Sequence, residues 1–261
     1  MRKYKAVLYI IAVIGLLPFY SQSQRRGHPY KPRFSVLVLA ENGGHHIAYS
    51  QSAKGLLDKI AGLHHFRIDY ISNTDSITNE YLKRYRLFIQ LDYPPYGWKP
   101  EAIKAFEDYI DNGRGGWIGF HHASLLGEFD GTSIWPWFYE FMGGIRFKEY
   151  IADFSDGTVH IEKTSHPVFK GLPDTFTIHK EEWYTYDKSP RNGVKVLANV
   201  DENSYSPVRP QKMGDHPVIW TNPSKKARNV YIFMGHSPEL FFDITYVRLF
   251  NNAIVWAAKS R

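Results

Sequence analysis

The stretch FSVLVLAENGGHH at residues 34–46 decides the expected fold. Residues 34–40 form an unbroken apolar run of strand length, which is typical of a strand buried on both faces of a sheet. The glycine-rich turn at residues 43–46 follows, and apolar residues with helical spacing continue to about Gly62. A buried strand, a turn and a helix in this order predict the first unit of a parallel sheet.

The same succession of strand and helix continues along the chain. Further strands are predicted at residues 66–71, 86–91 and 115–120, and a helix begins at Pro100, a residue that suits the first helical turn. Strands that alternate with helices indicate βαβ units. We therefore expect a single α/β domain with a mostly parallel central sheet.

The second half of the chain has more strands and fewer helices. A short helix is predicted near residues 135–142, and an amphipathic helix over residues 245–258 closes the chain. The strands predicted between these helices either extend the sheet or form an antiparallel flap. They cover residues 159–163, 182–186, 194–199, 217–221 and 230–234.

The N-terminal residues predict an exported protein. A basic start, an apolar run over residues 6–19 and two small serines make the pattern of a secretory signal peptide. The run is shorter than the roughly 20 apolar residues of a membrane span, so we expect cleavage rather than a retained anchor. The expected parts are a signal peptide (1–23), a basic linker (24–33) and a folded domain (34–261), with a periplasmic or secreted location and no membrane association after cleavage.

Composition excludes several classes of function. The chain has no cysteine, so disulfides, thiolate nucleophiles and cysteine-bound zinc are excluded. The net charge is +6, but seven basic residues precede residue 34 and leave the folded part at −1. A nucleic-acid-binding domain carries a basic face on its folded part, so no nucleic-acid partner is expected. The oligomeric state stays open.

Polar residues gather where the predicted strands end. In parallel α/β sheets, ligands bind beyond the carboxyl ends of the strands. The residues that follow the first, third, fourth and last predicted strands are therefore candidates for binding or catalysis. They are Gly44, His45 and His46, then Asp92, then His121 and His122, and finally His236.

The sequence GFHHA at residues 119–123 predicts a sharp turn between a strand and a helix. Small residues at both ends suit such an elbow, and a histidine at its tip, His121, suits acid–base catalysis or metal binding. Ser124 lies beyond the tip and is not expected to be a nucleophile. His166 and His216 each precede a proline in a turn and are interpreted as structural.

The sequence EEWY at residues 181–184 combines two acids with two aromatic residues. In a regular strand Glu181 and Trp183 would face one way, and Glu182 and Tyr184 the other. Only one carboxylate would then face a given site, which disfavours glycoside hydrolysis by paired carboxylates. An acid beside an aromatic ring is common at sugar sites, but it is also ordinary at a strand edge.

These motifs together resemble the ThuA-like (trehalose utilisation) family. The resemblance covers nearly all of the domain. It rests on GGHH, GRGGWIGFHHAS, SHPVFKGLP, EEWY, DHPVIW and NVYIFMGHSPELF with FNNAIVWAA, in this order. It implies a flavodoxin-like, class I glutamine amidotransferase-like three-layer sandwich, and a link to disaccharide and keto-sugar metabolism.

The resemblance also implies roles for individual residues. His121 falls at the family's elbow, where amidotransferase relatives have a cysteine, so glutamine hydrolysis through a thioester is excluded. Glu181 and Glu182 match an acidic pair, and His236 matches a Gly-His-Ser motif. His122 replaces a usual alanine, and RFKEY at residues 146–150 lacks a histidine that the family often has there.

Two functions follow as expectations. The first is an enzyme that acts on a sugar or keto-sugar, with His121, His122, Glu182 and His236 as catalytic residues. Its expected carbohydrate-binding residues are Gly44, His45, His46, Asp92, Glu181, Trp183 and Tyr184. His121 would be the base, and either His45, His46 or His236 would polarise the substrate oxygen, or a divalent metal such as zinc, held by His45, His121 and His236, would do so instead.

The alternative is a non-catalytic carbohydrate-binding domain, in which the tryptophans carry the binding. A scaffold with a decayed site is a third interpretation. The tryptophans concerned are Trp98, Trp135, Trp137 and Trp183.

Overall fold

A computed structural model describes residues 31–41, 44–129, 131–151 and 153–259, without the side chain of His45. The predicted signal peptide and most of the basic linker lie outside these residues and stay predictions. Among the described residues, no helix combines the length and the apolar character that a bilayer crossing requires.

The described chain contains five α-helices and eleven β-strands. The helices are α1 (Ile47–His64), α2 (Asn79–Leu82), α3 (Pro100–Asp111), α4 (Pro136–Phe141) and α5 (Ile244–Ala257). The strands are β1 (Ser35–Ala40), β2 (Arg67–Ile71), β3 (Leu87–Leu91), β4 (Gly116–Phe120), β5 (Phe147–Tyr150), β6 (Ser155–Ile161), β7 (Thr175–Glu181), β8 (Tyr184–Tyr186), β9 (Lys195–Ser206), β10 (Pro217–Thr221) and β11 (Asn229–Ile232).

Nine of these strands form one sheet in the order β2-β1-β3-β4-β11-β10-β9-β6-β7. The pairs from β2 to β11 are parallel, and the pairs from β11 to β7 are antiparallel. Within the described sheet, only β10 and β6 therefore run against the other strands. The prediction of an α/β fold with a mostly parallel central sheet is confirmed.

Side chains of β4 alternate between two helical layers. Trp117 packs edge-on against Phe138 of α4, with 6.0 Å between ring centroids, whereas Phe120 stacks on Phe250 of α5 at 5.0 Å. On the α4 side, α3 contributes Phe106, whose ring lies 6.0 Å from that of Phe138. On the other side, α1 and α5 are joined by a hydrogen bond between one tyrosine of each helix. The sheet is thus the middle layer of a three-layer sandwich.

Three elements were not predicted, and they lie where the sequence pattern is weakest. Helix α2 has only one turn, and β5 and β7 carry alternating exposed and partly buried residues. The predicted strand at residues 182–186 is shorter than expected, because β7 ends at Glu181 and β8 begins at Tyr184. These strands nevertheless shape the functional site.

Candidate functional site

Two residues at strand ends adopt left-handed backbone angles. Asp92 follows β3 with a φ of 51°, and His121 follows β4 with a φ of 39°. Such angles cost a non-glycine residue about 1–3 kcal/mol, so the surrounding structure must hold them. Part of that structure is the turn after β11. A side-chain carbon at Gly235 would lie 2.8 Å from the Cβ of His121, so the close approach requires glycine.

Three histidines and one glutamate meet above these strand ends. Potential ligand atoms of His46, His121, Glu182 and His236 all lie within 4.8 Å of one another. His46 Nε2 lies 2.7 Å from His236 Nδ1. Glu182 Oε2 lies 3.4 Å from His121 Nε2 and 3.3 Å from His236 Nδ1. We call these four residues the histidine cluster.

Each member of the histidine cluster comes from a different segment of the chain. His46 ends the short 3₁₀ turn before α1, and His121 starts the one that follows β4. Glu182 lies between β7 and β8, and His236 follows β11. The parallel strands β1, β4 and β11 end at the same edge of the sheet, which brings the three histidines together.

Two imidazoles of the cluster, those of His46 and His121, are neutral at neutral pH. Burial and the nearby His122 ring lower the pKa of His46 to about 2. Burial also lowers the pKa of His121 to about 3, against the opposing effect of Glu182. A neutral imidazole keeps a lone pair on one ring nitrogen, which is the form that binds a metal.

Hydrogen bonds orient the His121 ring. Its Nδ1 lies 3.3 Å from the carbonyl oxygen of Phe233, so we assign the N–H to this nitrogen. The lone pair is then on Nε2, which accepts a hydrogen bond from the Tyr184 hydroxyl at 2.8 Å. Burial raises the pKa of Tyr184 well above its ordinary value, so the hydroxyl stays a donor. A backbone carbonyl commonly orients a metal-binding histidine in this way.

The adjacent acids Glu181 and Glu182 have opposite charge states. Burial acts to raise the pKa of Glu182, but the contacts with His121 and His236 outweigh it and hold that pKa well below its ordinary value. Burial raises the pKa of Glu181 to about 8, although its carboxyl accepts the backbone N–H of His236 at 3.0 Å. At neutral pH, Glu182 is therefore ionised and Glu181 is mostly protonated.

Both carboxyls lie beside His121, contrary to the expectation from regular strand alternation. Glu181 Oε1 lies 4.0 Å from His121 Nδ1, on the opposite side of the ring from Glu182. The backbone is irregular here, since Lys180 has a φ of 50° and the strand is interrupted before Tyr184. The regular strand alternation expected for residues 181–184 is therefore absent, although of the two acids only Glu182 lines the adjoining cavity.

Asp92 lies below the cluster, away from the cavity. Its side chain is buried, and neither carboxyl oxygen has a well-aligned hydrogen-bond partner among the described residues. Burial, together with the charge of Glu181, raises the pKa of Asp92 well above its ordinary value. The structure thus makes Asp92 a neutral buried acid and does not support its predicted contact with substrate.

His122 has different surroundings from His121. Its ring packs edge-on against His46, with 4.0 Å between centroids, and its Nδ1 lies 3.2 Å from Glu41 Oε2. The His122 side chain is 14% exposed, whereas that of His121 is fully buried. Glu41, His46 and His122 form a second group whose ligand atoms lie within 4.8 Å of one another.

A cavity of about 590 Å³ opens above the cluster, within the range of about 300–1,000 Å³ that is common for small-molecule sites. Its wall combines polar and apolar residues. The polar residues are Glu41, Gly44, His46, His122, Glu182 and His236, and the apolar or aromatic ones are Leu125, Phe147, Tyr150, Phe154 and Tyr184. The two groups are interleaved, since the Phe154 ring lies 4.9 Å from that of His236. The fully buried His121 contacts the cavity residues from below.

Some predicted site residues do not line the cavity. Trp183 is fully buried, its Nε1 donates to the carbonyl of Ser155 at 2.8 Å, and its ring stacks on Phe233. The expectation that Trp183 contacts substrate was therefore wrong. Ser124 is buried among tyrosine hydroxyls, in agreement with its exclusion as a nucleophile. The predicted role of His45 falls on a side chain outside the described residues.

Five cavity residues were not predicted from the sequence, namely Glu41, Leu125, Phe147, Tyr150 and Phe154. Glu41 directly follows β1, so the strand-end rule that selected Asp92 could have selected it too. Phe147, Tyr150 and Phe154 belong to β5 and the loop after it, an element that the sequence pattern did not reveal. The feature of the sequence that could have identified these three residues as site residues is their aromatic character.

The histidine cluster fits a divalent cation. A tetrahedral zinc with bonds of about 2.05 Å separates its ligand atoms by about 3.3 Å. The two glutamate–imidazole distances, 3.4 and 3.3 Å, have this length. The two nitrogens of His46 and His236 at 2.7 Å can share only one proton, and a cation would take the place of that proton.

Comparisons with known proteins agree on one family. The family model ThuA, described as trehalose utilisation, matches residues 35–257. A ThuA-like protein from Bacteroides uniformis ATCC 8492 is 30% identical, with a TM-score of 0.77, covering 89% of this chain and 94% of that chain. A ThuA-like protein from Parabacteroides merdae ATCC 43184 is 18% identical, with a TM-score of 0.61, covering 88% and 91%.

The glutaminase domain of Trypanosoma brucei CTPS has a TM-score of 0.49 and 11% identity, with 85% of this chain and 94% of that chain covered. No curated protein matches the chain at a significant level. On the family match and the 30% identity, this chain belongs to the ThuA (trehalose utilisation) family.

Proposed function

We propose that the protein is an exported enzyme that acts on a sugar or keto-sugar, with a divalent cation held by the histidine cluster. One observation carries this proposal: three imidazoles and one carboxylate converge on the floor of a cavity of substrate size. Family membership supports a role related to trehalose utilisation. Export rests on the signal-peptide pattern of residues 1–23.

The cation would be held by His46, His121, Glu182 and His236, and the Tyr184 hydroxyl would give up its hydrogen bond to His121 Nε2 when the cation binds there. Three imidazole nitrogens with one carboxylate oxygen form a set that suits zinc, and the irregular backbone at Glu182 brings the oxygen to the nitrogens. When bound, such a cation supplies Lewis-acid polarisation of a sugar oxygen. This replaces the predicted metal set of His45, His121 and His236.

His122 is the best-placed general base. Its Nδ1 contacts Glu41, which favours the tautomer with the lone pair on Nε2, and the ring lines the cavity. His121, the base favoured by the sequence, is fully buried, and its low pKa makes it a poor proton acceptor. In a keto-sugar, His122 Nε2 would accept the proton from the carbon beside the carbonyl, while the electrons of the C–H bond move toward the carbonyl oxygen.

The aromatic residues of the cavity wall suit a carbohydrate. Phe147, Tyr150, Phe154 and Tyr184 offer ring faces or edges beside the polar residues. Aromatic rings provide a large apolar contact area, and a pyranose presents C–H groups on one face and hydroxyls around its edge. The cavity can therefore hold a sugar with its hydroxyl and carbonyl groups toward the histidines.

The test is solvent exchange at the carbon beside the carbonyl. The zinc-loaded protein is incubated with a keto-disaccharide in D₂O, and deuterium incorporation is followed by NMR. We expect exchange that falls by about 10²–10⁴-fold in His122→Gln, with zinc affinity unchanged. His179→Gln is the matched control, because His179 is exposed and pairs with Asp156 outside the cavity. Metal-loaded protein that binds the sugar but catalyses no exchange would exclude this reaction.

The second candidate function is carbohydrate binding without catalysis, which the aromatic wall favours. The same variants separate the two functions. In a binding module, His122→Gln would weaken sugar affinity, and no turnover would be lost because there would be none. In the enzyme, His122→Gln retains sugar affinity and loses turnover.

A further inference from the structure

A second pocket of about 450 Å³ lies between the loop after β3 and the segment that leads into α4. Aromatic side chains dominate its wall: Tyr96, Trp98, Trp135 and Trp137. We call it the tryptophan pocket. None of its lining residues belongs to the histidine cluster or to the cavity above it.

The tryptophan rings are held in place by their own N–H groups. The indole nitrogens of Trp98, Trp135 and Trp137 donate to Pro94, Glu107 and Asp111, respectively, at 2.9, 2.8 and 2.8 Å. The rings also pack on one another, with centroids 5.3 Å apart between Trp98 and Trp135. Trp98 and Trp135 are each only 6% exposed and form the base of the pocket, so the apolar surface that a ligand can contact comes mainly from the partly exposed Tyr96 and Trp137.

Polar groups lie beside these rings. The pocket wall includes the Glu107 carboxylate and the hydroxyls of Thr132 and Ser133. An aromatic surface with a few carboxylate and hydroxyl groups at its edge suits a ligand with an apolar face and a ring of hydroxyls. A pyranose has this chemistry.

Partly buried aromatic rings connect the tryptophan pocket to the histidine cavity. The Tyr96 ring lies 5.2 Å from that of Phe129, and the Phe129 ring lies 6.2 Å from that of Phe147. Phe147 lines the histidine cavity, where its ring lies 5.1 Å from that of Tyr184. Tyr96, Phe129 and Phe147 all keep partly exposed side chains. A chain of sugar rings could follow these side chains from one pocket to the other.

We propose that the tryptophan pocket is a second saccharide subsite, which binds a sugar unit distal to the one in the histidine cavity. The substrate class is then a disaccharide or a longer saccharide rather than a monosaccharide. The existence of the subsite stands on the pocket itself, and only its effect on turnover rests on the proposed function.

The dependence of affinity on sugar length, measured with and without the Tyr96→Ala change in the loop after β3, tests this proposal. Binding of glucose, trehalose, maltose and maltotriose is measured by calorimetry on wild type, Tyr96→Ala and Tyr139→Ala. Tyr139 is the control because it is also partly buried and near the pocket, on α4, but does not line the pocket. We expect at least one longer sugar to bind about 10-fold more tightly than glucose, and Tyr96→Ala alone to remove that difference.

Indole N–H signals in the NMR spectrum provide a second readout that does not depend on a variant. Signals of Trp98, Trp135 and Trp137 should shift with the longer sugars and not with glucose. Equal affinity for all four sugars, no sugar binding, or unshifted indole signals would overturn the proposal. Solvent exchange on the keto-disaccharide distinguishes the two proposals: exchange without a length preference removes only the subsite, and a length preference without exchange removes only the enzyme.

Discussion

Two buried contacts between a histidine and a glutamate lie in different halves of the sheet. In the antiparallel half, His216 Nδ1 lies 2.9 Å from Glu202 Oε1. At the edge of the parallel half, His121 Nε2 lies 3.4 Å from Glu182 Oε2. Residue types and burial are alike and the distances differ by only 0.5 Å, so these features do not separate a structural pair from a functional one.

The difference lies in what else each carboxylate binds. Glu202 accepts backbone N–H groups from Met213 and Gly214, at 2.6 and 2.9 Å, so it ties a loop to β9. Glu182 contacts two imidazoles, borders a cavity and has no such backbone donors among the described residues. A carboxylate whose oxygens accept backbone N–H groups stabilises the fold. A carboxylate that contacts two imidazole nitrogens beside a cavity can instead bind a cation together with them.

The largest expected effect is the loss of metal binding in Glu182→Gln. This change keeps the side-chain shape but removes the charge and leaves a weaker oxygen donor. We expect zinc affinity, measured by competition with a chromophoric chelator, to fall by at least ~100-fold. Glu202→Gln is the matched change in the other half and should leave zinc affinity within about 2-fold. Similar zinc affinities in the two variants would remove the distinction between the pairs.

The second expected effect is on the free energy of unfolding, which Glu202→Gln should lower more than Glu182→Gln does. Glu202→Gln should lower the free energy of unfolding of the metal-free protein by about 3 kcal/mol, because it breaks a buried pair and disturbs two backbone hydrogen bonds. Glu182→Gln should lower it by less than about 1 kcal/mol. Urea denaturation of both proteins gives the comparison. A larger loss in Glu182→Gln would mean that the cluster is held together as a structural network.

The third effect is a dependence of stability on pH that differs between the halves. Glu181 has a pKa of about 8 in the folded protein, raised by burial, against an ordinary value of 4.5. The folded state keeps a proton that the unfolded state releases, so this stabilisation is complete below pH 4.5 and is lost as the pH rises toward 8. Burial acts to raise the pKa of Glu202, but its contact with His216 outweighs this and lowers that pKa, so its contribution is instead lost on acidification.

Glu181→Gln isolates this contribution. His46 and His121 act in the opposite sense, because their lowered pKa values make their stabilisation complete above pH 6.5 and lost as the pH falls toward 3. These histidines, with Glu182 and His236, face Glu181 in both proteins, so their direct effects cancel in the comparison. Asp92 is coupled to Glu181, and its pKa is raised less in Glu181→Gln. Relative to Glu181→Gln, the metal-free wild type should lose about 2 kcal/mol of unfolding free energy between pH 5 and pH 7. A difference between the two proteins that is the same at both pH values would contradict the buried, protonated Glu181.

The fold was predictable because it depends on long, regular patterns. Buried strands such as β1 and β3 read as continuous apolar runs, and α3 begins at a proline, so each element carries its own signal. Strand β5 does not, because its residues alternate in exposure over only four positions. The failure to predict β5 affected the predicted site, since Phe147 and the aromatic residues near it line the cavity.

The sequence predicted which strand ends form the site, but it did not predict the role of each residue there. His121 and His122 are neighbours with the same chemistry, and only one of them reaches the cavity. Which of the two histidines lines the cavity is determined by the left-handed backbone at His121 and by the close approach of Gly235, more than a hundred residues away. Likewise, the interruption before Tyr184 gives Glu182 to the cluster and Trp183 to the core. Such distant packing leaves no local trace in the sequence.

The smallest expected effect concerns a third pair, Glu41 with His122, which is partly exposed. Their 3.2 Å contact is as close as the buried ones, but 34% of the Glu41 side chain is accessible, so solvent screens the interaction. Glu41→Gln should therefore slow solvent exchange on the keto-disaccharide by only about 3–10-fold, with zinc affinity and unfolding free energy unchanged. A loss as large as that expected for His122→Gln would show that Glu41 takes a direct part in proton transfer. A fall in zinc affinity would instead place His122 and Glu41 in the second metal-binding group with His46 and remove His122 as the base. The three pairs then form one series, in which the surroundings of the carboxylate, rather than its distance from the histidine, determine its role.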